Sequence, residues 1–444
     1  MSLFGAINTA ISGLTAQSSS FGNISEDVAN SQTTGFKRVD TSFIDYLTTS
    51  TATDNEPGAV VAQPDYVNNV QGAVTQTDNP LGMAIAGQGF FAVSQPTGEA
   101  NGVVTYNPQQ FYTRDGDFSM NDSGYLVNSA GQYLNGWTVN PTTGVADQNA
   151  LVPIQVSQST YNPVATSNVT LAANLPATPT SGTATAAAPL SSQITVYDSL
   201  GTAHTINLNW SQNANNDWNV QISVPDSTTG TTDAGTADVQ FGATSGNAVP
   251  EGTIGQVAVS GTDAGTITTG GYTAGQPATL QFTTDFGSGN QTIQLNLGTY
   301  GGTNGVTQYA GSTYSLLGLT QDGVPPGSFS GVTTQANGNV VVNYNNGQTR
   351  TIAQVPVVTF NAPDALQSQN GQSFTATPAS GSPLAEAAST NGAGNLVVGS
   401  IEGSNVDIAT EFSNLIVAQQ AYSSNAKVVT TADQMLQATL QMIT

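Results

Sequence analysis

The side chains best suited to chemistry are few, and none sits in a pattern that completes a site. His204 is the one histidine of the chain. A Ser-His-Asp relay would have to run through it, and no Gly-x-Ser-x-Gly lies nearby. Its place in an alternating strand pattern after a turn predicts a structural role. With one His and no Cys, a zinc site has too few ligands. Asp115, Asp117, Ser119 and Asn121 alternate as the ligands of a calcium loop do. Met120 stands where that loop needs Gly, and Leu126 where it needs a bidentate Glu, so a turn between strands is expected. Gly87-Gln88-Gly89 lacks both the third Gly and the following helix of a phosphate loop. Paired carboxylates for glycoside hydrolysis could be drawn from 28 acidic residues, but no pair has a privileged position. The sequence thus reads as a chain with no enzymatic activity, no cofactor and no bound metal.

The elements that would have to position such groups are better marked than the groups. Over residues 405–444, every seventh residue is apolar: Ile408, Leu415, Tyr422, Val429, Leu436 and Ile443. The column before it holds Asn414, Ala421, Val428, Met435 and Met442. Three places after the first column come Glu411, Ala418, Asn425, Ala432 and Thr439, all small or polar. A period of seven keeps one side of a helix in register, and no Gly or Pro interrupts the run. At about 1.5 Å per residue such a helix is roughly 55 Å long. Leu3, Ile7, Ala10, Leu14, Gln17, Phe21, Ile24 and Val28 are spaced alternately by four and three, the seam of a second helix. Gly5, Gly13 and Gly22 make that helix weak by itself, so it should order on packing. Two core helices of an ordinary domain would look similar. Their placement at opposite ends of the sequence instead suggests packing on each other, or on other copies.

The chain carries five Lys and Arg against 28 Asp and Glu, a formal net charge of −23. No basic patch for nucleic acid can be built from so few cations, and an anionic membrane surface is disfavoured for the same reason. No apolar run reaches the length of a membrane span. Lys37 is the first basic residue, so the basic n-region of a secretory leader is missing. The absence of cysteine rules out a disulfide scaffold. At 444 residues, two to four domains are expected.

Between the helices the pattern is extended. Phe43, Ile44, Tyr46 and Leu47 suggest a short amphipathic turn, and residues 48–58 a flexible link. Asn101-Gly102, Asn135-Gly136 and Asn345-Asn346-Gly347 are hairpin signals. Residues 175–192 read as a Pro/Thr/Ala-rich loop. Ile194 and Val196, then Ile206, Leu208 and Trp210, then Trp218, Val220, Ile222 and Val224 alternate with polar residues, a meander with one buried face. The repeated Thr-Asp-Ala-Gly-Thr at 232–236 and 262–266 is a compositional echo. The expected fold class is α+β, mainly β: a coiled-coil domain of terminal helices (residues 1–35 with 400–444), a connecting segment (36–70), a β-rich outer domain (71–155 with 325–399) and a second inserted β-rich domain (156–324).

Several segments together resemble the rod and hook family of axial proteins of the bacterial flagellum. They are residues 23–30 (Asn-Ile-Ser-Glu-Asp-Val-Ala-Asn) with Thr33-Thr34-Gly35-Phe36-Lys37, residues 84–91 (Ala-Ile-Ala-Gly-Gln-Gly-Phe-Phe), Thr113-Arg114-Asp115-Gly116-Asp117-Phe118 and Gly124-Tyr125-Leu126-Val127. At the other end stand Ser404-Asn405-Val406-Asp407, Ala418-Gln419-Gln420-Ala421-Tyr422, Asn425-Ala426-Lys427-Val428 and Thr430-Thr431-Ala432-Asp433. On this match Asn30, Gly35, Phe36, Asn405, Asp407, Asn425 and Asp433 are signature positions. The long insertion, and residues 194–201 with His204-Thr205, are similar to hook proteins rather than the distal rod protein. The resemblance implies an extracellular flagellar subunit that assembles with itself into a curved tube, joins rod to filament and passes torque as a universal joint. It also implies export by the flagellar type III apparatus, which agrees with the missing leader. Implied partners are the distal rod protein, a hook cap and the hook–filament junction protein. The assembly residues would be Leu3, Ile7, Ala10, Leu14, Phe21, Ile24 and Val28 with Ile408, Leu415, Tyr422, Val429, Leu436 and Ile443. A distal rod subunit is the nearest alternative. An exported β-rich adhesin or carbohydrate-acting protein is the alternative of a different class.

Overall fold

The computed structural model describes residues 3–50, 55–100, 103–230, 232–260 and 267–443. The chain is mainly β, and among the described residues two α-helices stand at its two ends: α1 (Leu3–Ala29) and α2 (Ile408–Ile443). No helix there is long and apolar enough to cross a membrane. The chain divides into two compact units. One is residues 1–158, 330–343 and 349–444; the other is residues 159–329 and 344–348.

In the first unit, α1 lies against α2 and against a hairpin of two strands, β1 (Val39–Ser50) and β2 (Asn55–Tyr66), which pair antiparallel from Val39↔Tyr66 to Ser50↔Asn55. The short amphipathic turn expected at 43–47 is therefore part of a twelve-residue strand. Residues 51–54 of the expected link lie outside the described residues. The hairpin escapes a reading by periodicity because Phe43, Ile44, Tyr46 and Leu47 do not alternate, and all four are largely exposed. Register comes instead from backbone pairing and from α1.

The rest of this unit is short strands around Met83, Ile85, Phe91, Phe118, Leu126 and Leu134, all fully buried. Asn345-Asn346-Gly347, which is counted with the second unit, does turn a hairpin, between Asn339–Tyr344 and Thr349–Gln354. Asn135-Gly136 does not. Both lie inside the strand Tyr133–Thr138, where Asn135 exchanges hydrogen bonds with Ser94. Gly136 is required there by close approach: a Cβ would meet Ile154 Cδ1 at 2.7 Å and Gln354 O at 2.8 Å. Asn101-Gly102 lies outside the described residues.

The second unit is two sheets around one core. The three expected strands of the meander, Leu190–Tyr197, Ala203–Ala214 and Asp217–Ser223, are present, and two more, Asp233–Phe241 and Ile254–Val259, extend the sheet in sequence order. A second sheet runs Ile267–Thr269, Pro277–Asp285, Asn290–Thr299, Asn168–Pro176, Val306–Tyr309, with Ser315–Gln321 also paired to Asn168–Pro176. Inward positions of both sheets, including Trp210, Trp218, Leu280 and Ile293, form a single buried cluster. Of the repeated pentapeptide, the first copy enters the strand Asp233–Phe241, and residues 262–266 lie outside the described residues.

Candidate self-assembly site

The residues weighed for chemistry are held in structural duties. His204 stacks on Phe286 with ring centroids 4.0 Å apart. Its two nitrogens face Asp198 at 3.6 Å and Asp226 at 3.4 Å. The nearby Ser288 hydroxyl meets the Asp198 carboxylate at 3.5 Å and not the imidazole, the wrong order for activating a nucleophile. Asp115 accepts from the Asp117 N–H and from Ser129, and Asp117 from Asn79, so the would-be calcium ligands point to separate partners. Among the described residues no group of three or more His, Cys, Asp or Glu is placed to hold a metal.

Helix α1 buries two stripes. The apolar one faces α2: Ala10 and Ile24 are buried, and Ile7, Leu14, Gln17, Phe21 and Val28 half-buried. Phe21 meets Tyr422 edge to face with centroids 6.5 Å apart. Gly13 faces Asn425, where a Cβ would sit 2.8 Å from Asn425 Nδ2. As Phe21 and Gly13 climb towards the start of α1, their partners Tyr422 and Asn425 climb towards the end of α2, so the helices run antiparallel. The second stripe is polar and was not legible as a buried face. Thr9 Oγ1 donates to Gly58 O, Ser12 Oγ accepts from Val60 N, Asn23 Nδ2 donates to Thr41 Oγ1, and the Asp27 carboxylate accepts from Val39 N at 3.0 Å. These bonds tie α1 to the hairpin.

On α2, the residues that α1 covers most fully are the small or polar column: Glu411, Ala418 and Ala432 are buried, and Asn425 half-buried. Small side chains let the helices approach closely at Gly13. The apolar column is covered less. Leu415, Val429 and Leu436 are half-buried, while Ile408 and Tyr422 are each 43% exposed. The side chains of Leu3 and Ile443 lie outside the described residues. Phe412, Ile416, Val417, Val428 and Met435 flank this seam and are exposed, Val417 at 65% and Met435 at 57%.

Five of the seven signature residues converge at the root of the helices. Asn30 closes α1, donating to Glu26 O and accepting from Thr33 Oγ1. Gly35 takes a left-handed φ of 69° and its N–H donates to Glu402 O at 2.8 Å; a Cβ there would collide with the backbone of Asp115. Phe36 O accepts from Asn405 N. The Asn405 side chain accepts from Arg38 N and donates to Val67 O and Val70 O. Asp407 caps α2, its Oδ1 accepting from the N–H groups of Ala409 and Thr410. Asn425 sits apart in the seam, and Asp433 on the exposed face, bonded to Gln437.

Beneath this root lies a buried ion cluster that the sequence did not announce. Glu402 has no solvent exposure, and its Oε1 takes Lys37 Nζ at 2.5 Å and Gly72 N at 2.9 Å. Its Oε2 takes Arg114 Nη1 at 2.9 Å, and Arg114 also donates to Ile85 O and Gly87 O. Burial pushes the Lys37 ammonium below its usual range, with the Glu402 charge acting the other way. Arg114 is lowered by burial in the same manner. Two of the five cations thus stand on one carboxylate, fixing three segments far apart in sequence. Their one visible signal is sparseness: Glu402 is the only charged residue from 387 to 406.

Comparison with known proteins gives three matches to family models. Residues 84–174 match "Flagellar hook protein FlgE/F/G D1 domain", residues 165–324 "Flagellar basal body protein FlaE D2 domain", and residues 397–442 "Flagellar basal body rod FlgEFG protein C-terminal". The flagellar hook protein FlgE of Escherichia coli is 30% identical over 440 residues, covering 97% of this chain and 98% of that one. The flagellar hook protein FlgE of Brucella abortus is 29% identical over 436 residues, covering 98% of each, and that of Salmonella typhimurium is 30% identical over 444 residues. The crystal structure of flagellar hook protein FlgE2 of Helicobacter pylori covers 72% of this chain and 98% of that one, with a TM-score of 0.45 and 13% identity. The chain belongs to the flagellar hook protein family.

Proposed function

We propose that this chain is the structural subunit of a flagellar hook, assembling with its own copies into a curved, hollow tube outside the cell. The tube would link rod to filament and carry torque through bends. The helical ends (residues 1–35 with 400–444) would form the inner tube as a coiled coil, and the β-rich remainder the outer layers. The distal rod protein, a hook cap, the junction protein and the type III export apparatus are its proposed partners. The observation that carries this reading is the uncovered apolar flank of α2, Phe412, Ile416, Val417, Val428 and Met435, in a chain of this family. Burying a Val, Ile, Phe or Met contributes on the order of 1.5–3 kcal/mol, so a few such residues per copy can hold a polymer. Met435→Asp, with Val428→Asp as its companion, should leave a folded monomer with unchanged circular dichroism and no tubes by electron microscopy, where the wild type grows curved ones. Tubes of normal yield from both variants would overturn the reading. Straight, rigid wild-type tubes would favour a distal rod subunit instead.

A further inference from the structure

The root of the helices also holds an acid without a proper partner. Glu411, in the first turn of α2, is 1% exposed. Among the described residues its Oε1 accepts no hydrogen bond, and its Oε2 meets only Asn414 Nδ2, at 3.4 Å. Arg38 lies near, but its Nη1 is 3.9 Å from Oε1 because Nη2 is turned to Asp40 at 3.2 Å. A buried carboxylate short of donors is costly unless something arrives to supply them.

Glu411 opens onto a cavity of about 430 Å³, lined also by Ser20, Asp40, Asn414, Phe43 and Val417. Phe43 and Val417 are exposed, so the cavity has an apolar lip and an acidic floor. Acids crowd this region: burial first, and then the charges of Glu411, Asp40 and Glu26, push the Asp27 carboxyl up to about 7. A long apolar stem ending in a cation fits such a shape.

The chain has few candidates. Of five cations, Lys37 and Arg114 are committed to Glu402, and Arg38 already lines the cavity. Arg350 is exposed on the strand Thr349–Gln354, away from the helices. Lys427 is exposed on α2 and makes no ion pair among the described residues. It adjoins Val428, part of the flank that lacks a cover.

We propose that this cavity is a socket for Lys427 of a second copy of the chain, and that the contact sets the stagger between neighbouring α2 helices. The inference rests on the self-assembly reading and goes beyond it. At about 100° per residue, Lys427 and Glu411 lie roughly 160° apart around α2, so parallel neighbours can meet lysine to socket in a heterologous contact, which propagates as an open array unless its rotation closes a ring. They are sixteen residues apart, which sets neighbouring copies of α2 roughly 24 Å out of register at about 1.5 Å per residue.

The test is a double-mutant cycle on the full chain, reading the critical concentration for polymerisation at low salt. Lys427→Gln and Glu411→Gln should each raise it about tenfold, and the double variant about tenfold as well, not about a hundredfold. Lys427→Arg should stay near wild type. Independent, multiplying effects, or no effect of Lys427→Gln, would overturn the proposal. So would a divalent metal ion replacing the need for Lys427, which would make the socket a cation site. Should Glu411→Gln misfold, helical reconstruction of the wild-type tube decides: Lys427 Nζ within about 4 Å of a neighbour's Glu411 supports the socket, and any other partner removes it. A wild-type chain that never polymerises overturns the assembly reading and this inference together.

Discussion

The second unit and the terminal helices are built from the same kinds of side chain and use them differently. In the second unit every inward position of the meander is covered: Trp210, Trp218, Val220 and Ile222 have no exposure at all. Its exposed apolar side chains, such as Leu200, Leu316 and Leu317, lie outside the strands of the meander. Along α2 the order is reversed, since the residues buried within the chain are Glu411, Ala418 and Ala432, while Val417 and Met435 stand out in solvent. One region satisfies its hydrophobic pattern by itself. The other satisfies the polar and small half of its pattern and leaves the larger half open, as a surface awaiting a like partner does.

That contrast predicts separable damage. Trp210→Ala should cost the second unit about 3–5 kcal/mol and lower the melting step of that unit while the first unit melts as before. Trp210→Phe should cost much less, because the indole N–H it removes has no hydrogen-bond partner among the described residues. If differential scanning calorimetry shows both units shifting equally in Trp210→Ala, the division into self-sufficient and copy-dependent regions is wrong.

Glu402→Gln probes the other region. Removing the carboxylate leaves Lys37 and Arg114 buried side by side with no anion, and breaking a buried pair in this way costs about 3–5 kcal/mol. The loss should fall on the first unit, since all three residues belong to it. Polymerisation should weaken too, because the cluster lies under the root from which both helices leave. Replacing all three by apolar residues should recover part of the stability. Unchanged protease resistance of the first unit in Glu402→Gln would show that the cluster holds little.

How far the sequence revealed these regions follows from how each is coded. The meander and both helices are written in short periods, two and seven, so they could be read directly. Every described position of the α1 seam faces inward or is partly covered. The face of α2 that α1 takes was harder, because close approach at Gly13 favours Ala418 and Asn425 over the bulkier column. The β1–β2 hairpin could not be read by period, since its order comes from pairing and from α1 side chains such as Ser12 and Asp27. The ion cluster was least visible. Its members at positions 37, 114 and 402 share no local pattern, and only the isolation of Glu402, the one charged residue from 387 to 406, hints that it has a fixed place.

The smallest expected effect sharpens the comparison at the junction of helix and hairpin. Burial, with Glu411, Asp40 and Glu26 adding to it, raises the Asp27 carboxyl to about 7, while in the unfolded chain it titrates near the usual value of about 3.9. Between those values the folded state binds a proton that the unfolded chain has released, so stability falls as pH rises. The contribution is whole below about pH 4, declines to about pH 7 and is flat beyond. The shift is what remains after the opposing Val39 N–H bond to Asp27, and that bond makes the change local to the hairpin. Protection factors for the amides of Val39 and Thr41, corrected for intrinsic exchange, should fall across that window. In Asp27→Asn they should be level. The meander amides of Val220 and Ile222 should show no such trend in either protein, because no residue near Asp27 contributes to their core. A fall of the same slope in Asp27→Asn would assign the titration to another acid of the first unit, with Asp115, also raised by burial, as the next to replace.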